Sequence, residues 1–327
     1  MTSSILITGS LRPATRIVIE SRVASAALIV NAAKFTVDTL DRFRAAVEGA
    51  FTARGRTAPL WLPTSAESTG TEQAREAIRG GVDLVLVAGG DGTIRTVGQE
   101  LAGTGIALAL LPIGTGNLLA RNLGIPRNEI DAAVHIALHG KDLAMDVGWA
   151  EVDRNGDGRS VDSYAFLVMG GAGFDAATMS GASSALKRRL GSAAYLLAGA
   201  LASLRPMVEM TASVDGVTRP AELSRGIVVG NHGSLTMGLA LLPEATCDDG
   251  RLDGVILLQR NAADWLRAFR DVAGKSGSSR QMPHVDGQEI DVTSREPLPV
   301  EVDGDVVGDA RRVRFRVQPR ALLVRCS

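Results

Sequence analysis

Residues Val82–Leu101 read Val-Asp-Leu-Val-Leu-Val-Ala-Gly-Gly-Asp-Gly-Thr-Ile-Arg-Thr-Val-Gly-Gln-Glu-Leu. The run Leu84–Val87 is continuous and apolar, which is typical of a strand buried on both faces of a parallel sheet. After a glycine-rich turn, Ile94, Val97 and Leu101 recur at helical spacing. The stretch therefore predicts a buried strand, a tight turn and a helix.

The turn in this stretch is a candidate phosphate-binding loop. Gly89, Gly90 and Gly92 are expected to turn the backbone through positive φ and to let it approach a ligand without Cβ interference. Asp91 and Thr93 are the polar side chains of the turn. Because a helix begins here, its unpaired N–H groups and its dipole favour a bound phosphate. An ordinary tight turn is the alternative interpretation.

A second unit of the same kind follows directly. Ala107–Leu111 is another apolar run, and it leads into the glycine-containing stretch Pro112–Asn117, which reads Pro-Ile-Gly-Thr-Gly-Asn. The carboxyl ends of neighbouring parallel strands lie at one edge of a sheet, where open α/β folds bind their ligands. We therefore expect the two loops to converge on one site.

The composition narrows the class of protein. The chain has 327 residues, which is long enough for two domains, and its formal net charge of −1 gives no general attraction to nucleic acid. Its two cysteines are too few for a disulfide framework, and this favours a reducing compartment. We identify no apolar run of the roughly 18 to 20 residues that a membrane-spanning helix needs, and no signal peptide. Residues 1–23 are assigned no function.

Five motifs, in this order along the chain, resemble the diacylglycerol kinase catalytic-domain family of bacterial lipid kinases and sphingosine kinases. The first motif is also found in NAD kinases, whereas the second is far more specific. The motifs are Gly89-Gly90-Asp91-Gly92-Thr93, then Leu111-Pro112-Ile113-Gly114-Thr115-Gly116-Asn117-Leu118-Leu119-Ala120, Gly173-Phe174-Asp175-Ala176, Pro243-Glu244-Ala245 with Asp248-Asp249-Gly250-Arg251-Leu252-Asp253, and Val302-Asp303-Gly304-Asp305.

The predicted fold has an N-terminal α/β domain with a parallel sheet and a C-terminal antiparallel β-sandwich. The pattern changes from alternating strands and helices to short strands separated by turn residues near Leu143. We predict domain boundaries at 1–142 and 143–311, with 312–327 returning to complete the first domain. The resemblance implies the same architecture, with nucleotide at the glycine loops and the acceptor in a cleft between the domains.

The resemblance also implies which residues contact ATP. Backbone amides of the first loop would hold phosphates, and Asp91 would reach Mg²⁺ or ribose. Thr64 follows a predicted strand, and it is interpreted either as a helix cap or as a residue that contacts ATP. The predicted nucleotide-binding residues are Thr64, Gly89, Gly90, Asp91, Gly92, Thr93, Gly114, Thr115 and Asn117.

The last motif is the predicted catalytic centre. By composition alone Asp303-Gly304-Asp305 is a hairpin turn, but by resemblance it stands where the family has Asp-Gly-Glu. A carboxylate at this position would accept the proton of the substrate hydroxyl. Asp305 is one methylene shorter than the usual glutamate, so we expect Asp303 to have the leading role and the two residues to act as a unit.

A Mg²⁺ site is predicted around Asp249. The resemblance implies that Asp249 contributes its carboxylate and that Thr246 and Arg251 contribute their backbone carbonyls. Hard cations favour such all-oxygen ligands. An Asp-Gly turn without a metal explains the same residues.

The predicted reaction is transfer of the ATP γ-phosphoryl group to a lipid hydroxyl, with a diacylglycerol-like or sphingoid acceptor. The expected protein is cytoplasmic, works at a membrane surface, binds no nucleic acid, and is compatible with a homodimer. One alternative is an NAD kinase-like enzyme. Another is an inactive nucleotide-binding regulatory protein, because Arg95-Thr96 replaces the usual Asn-Glu and Asp305 replaces the usual glutamate. Leu118 also replaces an acidic residue that often follows Asn117.

Overall fold

A computed structural model of the chain describes residues 18–19, 25–65, 68–114, 116–127, 129–173, 207–233, 242–258, 264 and 282–327. Helices alternate with strands up to residue 139, and strands follow. The helices are α1 (Val37–Thr52), α2 (Thr71–Arg79), α3 (Asp91–Leu101), α4 (Leu118–Asn122) and α5 (Ile130–His139). The strands are β1 (Val18–Ile19), β2 (Ala26–Val30), β3 (Leu60–Pro63), β4 (Leu84–Gly89), β5 (Ala107–Pro112), β6 (Lys141–Asp153), β7 (Val161–Phe166), β8 (Met169–Ala172), β9 (Val208–Val214), β10 (Val217–Thr218), β11 (Glu222–Ser224), β12 (Ile227–Gly230), β13 (Leu252–Ile256), β14 (His284–Gly287), β15 (Glu289–Val302) and β16 (Asp305–Cys326).

The N-terminal part is a parallel sheet in the order β3, β2, β4, β5, closed on its far side by the end of β16. Every residue of β2, β4 and β5 is buried. Alternate side chains enter two cores, because successive residues of a strand point to opposite faces. Ile29 and Val87 pack in the core that includes residues of α2 and α3, whereas Leu28 and Leu86 pack in the core that includes residues of α1 and α5.

The C-terminal part is antiparallel. β15 pairs with β8, β9 and β16, and β12 lies between β8 and β13. Its core is built from inward-facing aliphatic residues around an edge-to-face pair, Phe166 and Phe315, whose ring centroids lie 6.1 Å apart. A parallel α/β domain followed by an antiparallel β-sandwich confirms the predicted fold class.

Strand β16 joins the two parts. Its first half pairs with β15, its middle with both β15 and β6, and its end pairs in parallel with β5 at Leu323 and Val324. The register with β6 shifts between Gln318 and Leu322. Within this bulge Arg320 has a φ of 52°, and its N–H donates to the buried Asp146 carboxylate at 2.7 Å. One strand therefore contributes to the core of the sandwich, through Phe315, and to the two cores of the parallel sheet, through Leu322 and Leu323.

The end of β16 is fixed by a buried ion pair. The Arg325 guanidinium donates to both carboxylate oxygens of Asp142, at 2.5 and 3.1 Å, and to the Ala137 carbonyl at 3.2 Å. Both charged side chains are only 1% exposed. Because Ala137 belongs to α5 and Asp142 to β6, this pair ties three elements together.

Several predicted elements have different lengths in the structure. The sequence pattern predicts two strands at Glu289–Thr293 and Leu298–Val302, but the structure has one strand, β15, with a register shift between them. It also predicts a strand at Val313–Val317, which is the centre of the much longer β16. A further predicted helix at 186–196, with its cationic cluster at 187–189, lies outside the described residues. The domain boundary at residue 142 stays a prediction, although β6 begins close to it. Among the described residues, no helix combines the length and hydropathy of a membrane span.

Arg325→Met is expected to destabilise the fold by about 3 to 5 kcal/mol, because it leaves the Asp142 carboxylate buried without its cation. Urea unfolding would measure the loss. The control is Arg44→Met, which removes an exposed pair with Glu48 (52% and 39% exposed) and is expected to cost less than about 1 kcal/mol. Equal losses in the two variants would contradict a special role for the buried pair.

Candidate active site

The first glycine loop lies at the carboxyl end of β4, and α3 begins within it. Gly90 is the residue before the helix, so Asp91, Gly92 and Thr93 form the first helical turn. The expectation of positive φ is wrong, since Gly89, Gly90 and Gly92 are absent from the residues with that conformation. The glycines instead provide space. A Cβ on Gly89 would lie 2.8 Å from Thr93 Cβ, so Gly89 allows the buried Thr93 to pack against the strand end.

The second loop packs directly on the first. A Cβ on Gly114 would lie 2.8 Å from Gly90 Cα, and a Cβ on Gly116 would collide with the Asp91 carboxylate. Asn117 adopts the left-handed conformation with φ 49°. Its side-chain amide donates to the Gly114 carbonyl, which closes the loop on itself. Thr115 lies outside the described residues. The two loops thus converge as predicted.

Asp91 holds the two loops together. Its carboxylate accepts hydrogen bonds from the backbone N–H groups of Asn117 at 2.8 Å and Leu118 at 2.6 Å. These N–H groups lie at the N-terminus of α4, where helices leave donors unpaired. The expected contact of Asp91 with Mg²⁺ or ribose stays a prediction, but each carboxylate oxygen already has a protein partner. The unusual Leu118 takes part through its backbone, which any residue provides.

Asn117 leaves one polar atom available. The residue is fully buried, and its Oδ1 accepts no hydrogen bond from the described residues. A buried acceptor without a donor costs about 1 to 3 kcal/mol, so such atoms in native sites call for a donor from water or a ligand. Its location between the two loops supports the predicted contact with a bound molecule.

Thr64 lies at the same edge of the sheet. Its N–H donates to the Val30 carbonyl at 2.9 Å, just beyond the ends of β2 and β3. The interpretation as a helix cap is wrong, because α2 begins after Gly70 and has no side-chain cap. The predicted contact with ATP is therefore the remaining interpretation, and it stays a prediction.

Asp303 is an anchor for the chain around it. With Gly304 it forms the two-residue turn between β15 and β16, and both residues have positive φ, 48° and 92°. Its buried carboxylate accepts hydrogen bonds from three consecutive N–H groups, those of Leu167, Val168 and Met169, at 2.7 to 2.9 Å. Burial raises the pKa of Asp303 to about 6, although these hydrogen bonds and the nearby Arg95 act in the opposite direction.

Asp305 is the carboxylate that faces the glycine loop. Its side chain is 51% exposed, and a Cβ on Gly92 would lie 3.2 Å from its Oδ2 atom. The same oxygen accepts a hydrogen bond from Arg95 Nη2 at 3.0 Å. The two carboxylates thus differ in their surroundings, because Asp303 is enclosed by backbone donors while Asp305 is accessible. The catalytic roles of both residues stay predictions.

The predicted metal ligands lie in the turn before β13. Asp249 and Thr246 are exposed, and Asp249 Oδ1 accepts a hydrogen bond from the Arg251 N–H at 3.0 Å. The Arg251 side chain pairs with Asp286. The next N–H of the turn, from Gly250, donates to the buried Asp146 carboxylate at 2.6 Å. Asp146 thus fixes this turn to β16, the strand that carries Asp305.

The oxygen-rich donor set around Asp249 fits a hard cation. Burial, together with repulsion from Asp286, Asp249 and Glu244, raises the pKa of Asp253 to about 6, so negative charge is crowded here. No group of three or more His, Cys, Asp or Glu side chains close enough to hold a metal occurs in the part of the chain that the structure describes. A Mg²⁺ ion at this turn would therefore need backbone carbonyls and water as further ligands.

Three parts of the site had no role in the sequence interpretation. The sequence marks Arg95 only as an unusual residue. Its position four residues after Asp91 places both side chains on the same face of α3. Asp146 and the N–H groups of 167–169 carried no local signal, because their partners lie 104 to 174 residues away along the chain. Their roles depend on strand pairing.

Two glycine loops at the carboxyl edge of a parallel sheet, completed by carboxylates from a β-sandwich, define a nucleotide-binding kinase fold. Comparison with known proteins agrees with this class. Residues 25–150 match the diacylglycerol kinase catalytic domain, and residues 169–326 match the YegS C-terminal NAD kinase beta sandwich-like domain. The chain belongs to the diacylglycerol kinase family of YegS-like lipid kinases.

Individual relatives support this assignment. A diacylglycerol kinase of Bacillus subtilis is 30% identical over 75% of this chain and 78% of its own length. A probable lipid kinase YegS-like protein of Pseudomonas putida is 32% identical over 76% of this chain and 78% of its own length. An uncharacterized Synechocystis protein is 28% identical over 79% of this chain, which spans 61% of that protein. The crystal structure of a putative diacylglycerol kinase from Bacillus anthracis shares the fold, with a TM-score of 0.72 and 22% identity over 94% of this chain and 97% of that one.

Asp91→Asn is expected to weaken ATP binding about tenfold or more, because an amide has one acceptor oxygen and its NH₂ group would face an N–H of the second loop. Calorimetric titration with ATP would measure the affinity. Asp131→Asn, in the first turn of α5, is the matched control and should bind ATP as the parent protein does. Unchanged affinity in Asp91→Asn would show that the loops need no carboxylate between them.

Proposed function

We propose that this protein is an ATP-dependent lipid kinase that transfers the γ-phosphoryl group of ATP to a lipid hydroxyl. The observation that carries the proposal is the accessible Asp305 carboxylate, held beside Gly92 in the first turn of α3. A helix N-terminus attracts phosphate, and an acceptor hydroxyl must meet both the terminal phosphate and a base. This arrangement provides both at one place.

The nucleotide phosphates bind at the N-terminus of α3. The backbone N–H groups of the first loop face them, while Asp91 holds the second loop at a fixed distance. Asn117 Oδ1, which accepts no hydrogen bond from the residues that the structure describes, accepts one from the nucleotide. The glycines are needed because side chains at 89, 114 or 116 would collide with neighbouring groups of the site.

Asp305 acts as the general base. Its carboxylate accepts the proton as the acceptor oxygen attacks the terminal phosphorus, and the bond from that phosphorus to the bridging oxygen breaks, so that ADP leaves with the electron pair. Asp303 makes no contact with the acceptor in this proposal. Its three hydrogen bonds fix the turn from which Asp305 projects, and an error of about 1 Å in such a position can reduce a rate about a hundredfold.

Mg²⁺ would be held by the Asp249 carboxylate and by the backbone carbonyls of Thr246 and Arg251. When bound, the ion neutralises part of the negative charge that the phosphates bring to the site. The support for this part of the proposal is the all-oxygen donor set and the crowded carboxylates around Asp253.

A lipid acceptor is proposed because relatives of this chain are named diacylglycerol kinase and probable lipid kinase. The candidates are diacylglycerol-like and sphingoid lipids, which the protein would meet at the cytoplasmic surface of a membrane. An NAD kinase-like reaction uses a water-soluble acceptor at the same kind of loop. The two reactions are separated by the phase in which the product is found.

The test is incubation with γ-labelled ATP, Mg²⁺ and mixed micelles of a crude lipid extract, with NAD in a parallel tube. Label is expected in an organic-phase product, and Asp305→Asn is expected to lower its rate about 100-fold or more. Asp309→Asn, an exposed aspartate on the same strand, is the control and should retain activity. Label found only in NADP would overturn the lipid acceptor, and ATP binding without any transfer would support a regulatory protein.

The pH dependence of the reaction provides a separate test. Because Asp303 has a pKa of about 6, it binds a proton as the pH falls through that value, and the protonated group no longer accepts all three N–H bonds. We expect kcat/KM to decline about tenfold per pH unit below about 6. Asp303→Asn should have lower activity and a flat profile in this range, whereas Asp309→Asn should keep the parent profile. A decline that begins only near pH 4 would contradict this role.

A further inference from the structure

Arg95 connects the helix of the first glycine loop to the Asp303-Gly304-Asp305 turn. It lies in the second turn of α3, and its Nη2 atom donates to Asp305 Oδ2 at 3.0 Å across a sequence separation of 210 residues. The Arg95 side chain is 13% exposed, whereas that of Asp305 is 51% exposed. The fixed partner of the pair is therefore the arginine, and the accessible partner is the carboxylate.

The surroundings of Arg95 explain its orientation. Its Nε atom is buried and donates no hydrogen bond to any residue in the described part of the chain. Burying a guanidinium is costly unless opposite charge is near. Asp305 provides one such charge, and Asp303 provides another, since Arg95 lies close enough to oppose the rise in the pKa of Asp303. One cation thus serves both carboxylates of the Asp-Gly-Asp turn.

The pair also determines where Asp305 points. The Asp305 side chain is short, and it is flanked by two exposed residues, Gly304 and Val306. Within the described residues, its carboxylate has one hydrogen bond, the bond from Arg95. That bond holds Oδ2 beside Gly92, in the turn to which phosphate would bind. Without it, an exposed aspartate rotates freely into solvent.

We infer that Arg95 is a positioning residue of the transfer site. It holds the Asp305 carboxylate beside the phosphate-binding turn, where that carboxylate can meet the acceptor hydroxyl. This inference rests on the proposed function, in which Asp305 is the base. Arg95 then acts through Asp305, so that its effect on the rate depends on the presence of that carboxylate.

The test is a double-mutant cycle of Arg95→Gln, Asp305→Asn and the double variant, measured with the lipid assay. Arg95→Gln is expected to lower kcat about 10- to 100-fold and to change KM for ATP less than about threefold, because the proposed contact is with the base. The double variant is expected to have the activity of Asp305→Asn alone, since a removed base has nothing left to be positioned. Arg95→Lys keeps the charge without the planar fork and should recover part of the activity.

Arg75→Gln is the matched control. Arg75, on α2, donates to Glu100 of α3 at 2.8 Å, so the variant also removes an ion pair that involves α3, but away from the loops. It should retain the parent kcat. Melting temperatures of all variants would show whether they are folded, and the comparison of Arg95→Lys with Arg95→Gln applies even if one of them is less stable.

Three results would overturn the inference. The first is a parent-like kcat in Arg95→Gln. The second is a double variant whose loss of kcat equals the product of the two single losses. The third is an equal loss of kcat in Arg95→Gln and Arg75→Gln. The cycle is also measured as phosphate release from ATP to water, which needs no lipid. If the parent protein hydrolyses ATP but labels no lipid, the proposed acceptor is wrong. The coupling between Arg95 and Asp305 can still be measured from the hydrolysis rates. The absence of both activities would overturn the inference together with the proposed function.

Discussion

The structure depends on the continuity of β16 from Asp305 to Cys326. At one end this strand begins with Asp305, whose carboxylate faces the first glycine loop, and at the other it closes the parallel sheet beside β5. The buried pair of Arg325 with Asp142 fixes the second end. The position of the first end is therefore determined by the α/β core as well as by the sandwich. A site whose residues come from two domains needs such a shared element, because the distance between the residues of the two domains is otherwise variable.

Backbone hydrogen bonds to carboxylates recur at each junction of the site. Asp91 joins the two glycine loops, Asp303 joins its turn to 167–169, and Asp146 joins the turn before β13 to the bulge in β16. Each carboxylate accepts from at least two N–H groups that have no strand or helix partner. Charged acceptors form stronger hydrogen bonds than neutral ones, so they hold irregular backbone at a defined distance. Burial raises the pKa of Asp146 and of Asp303, which is the cost of this arrangement.

The parts of the fold set by local pattern could be predicted from the sequence. The apolar runs Leu84–Val87 and Ala107–Leu111 predict β4 and β5, and the helical spacing of Ile94, Val97 and Leu101 predicts α3, each close to the bounds found in the structure. The lengths of β15 and β16 could not be predicted, because their bulges depend on the partner strands. The same limit applies to the site. Gly89 and Gly114 were recognised as special, but the reason is close packing between loops, and packing is invisible in one loop alone. Likewise, the difference between Asp303 and Asp305 depends on which of them meets the amides of 167–169.

The bulge at Pro319 and Arg320 has a consequence for how the two halves of the molecule can move. On either side of it, β16 is hydrogen-bonded to neighbouring strands, and such a ladder resists bending. The bulge interrupts the ladder with β6, and the Arg320 N–H within it donates to the Asp146 carboxylate. Since Asp146 also accepts the Gly250 N–H, a displacement of the bulge would also move the turn that contains Asp249.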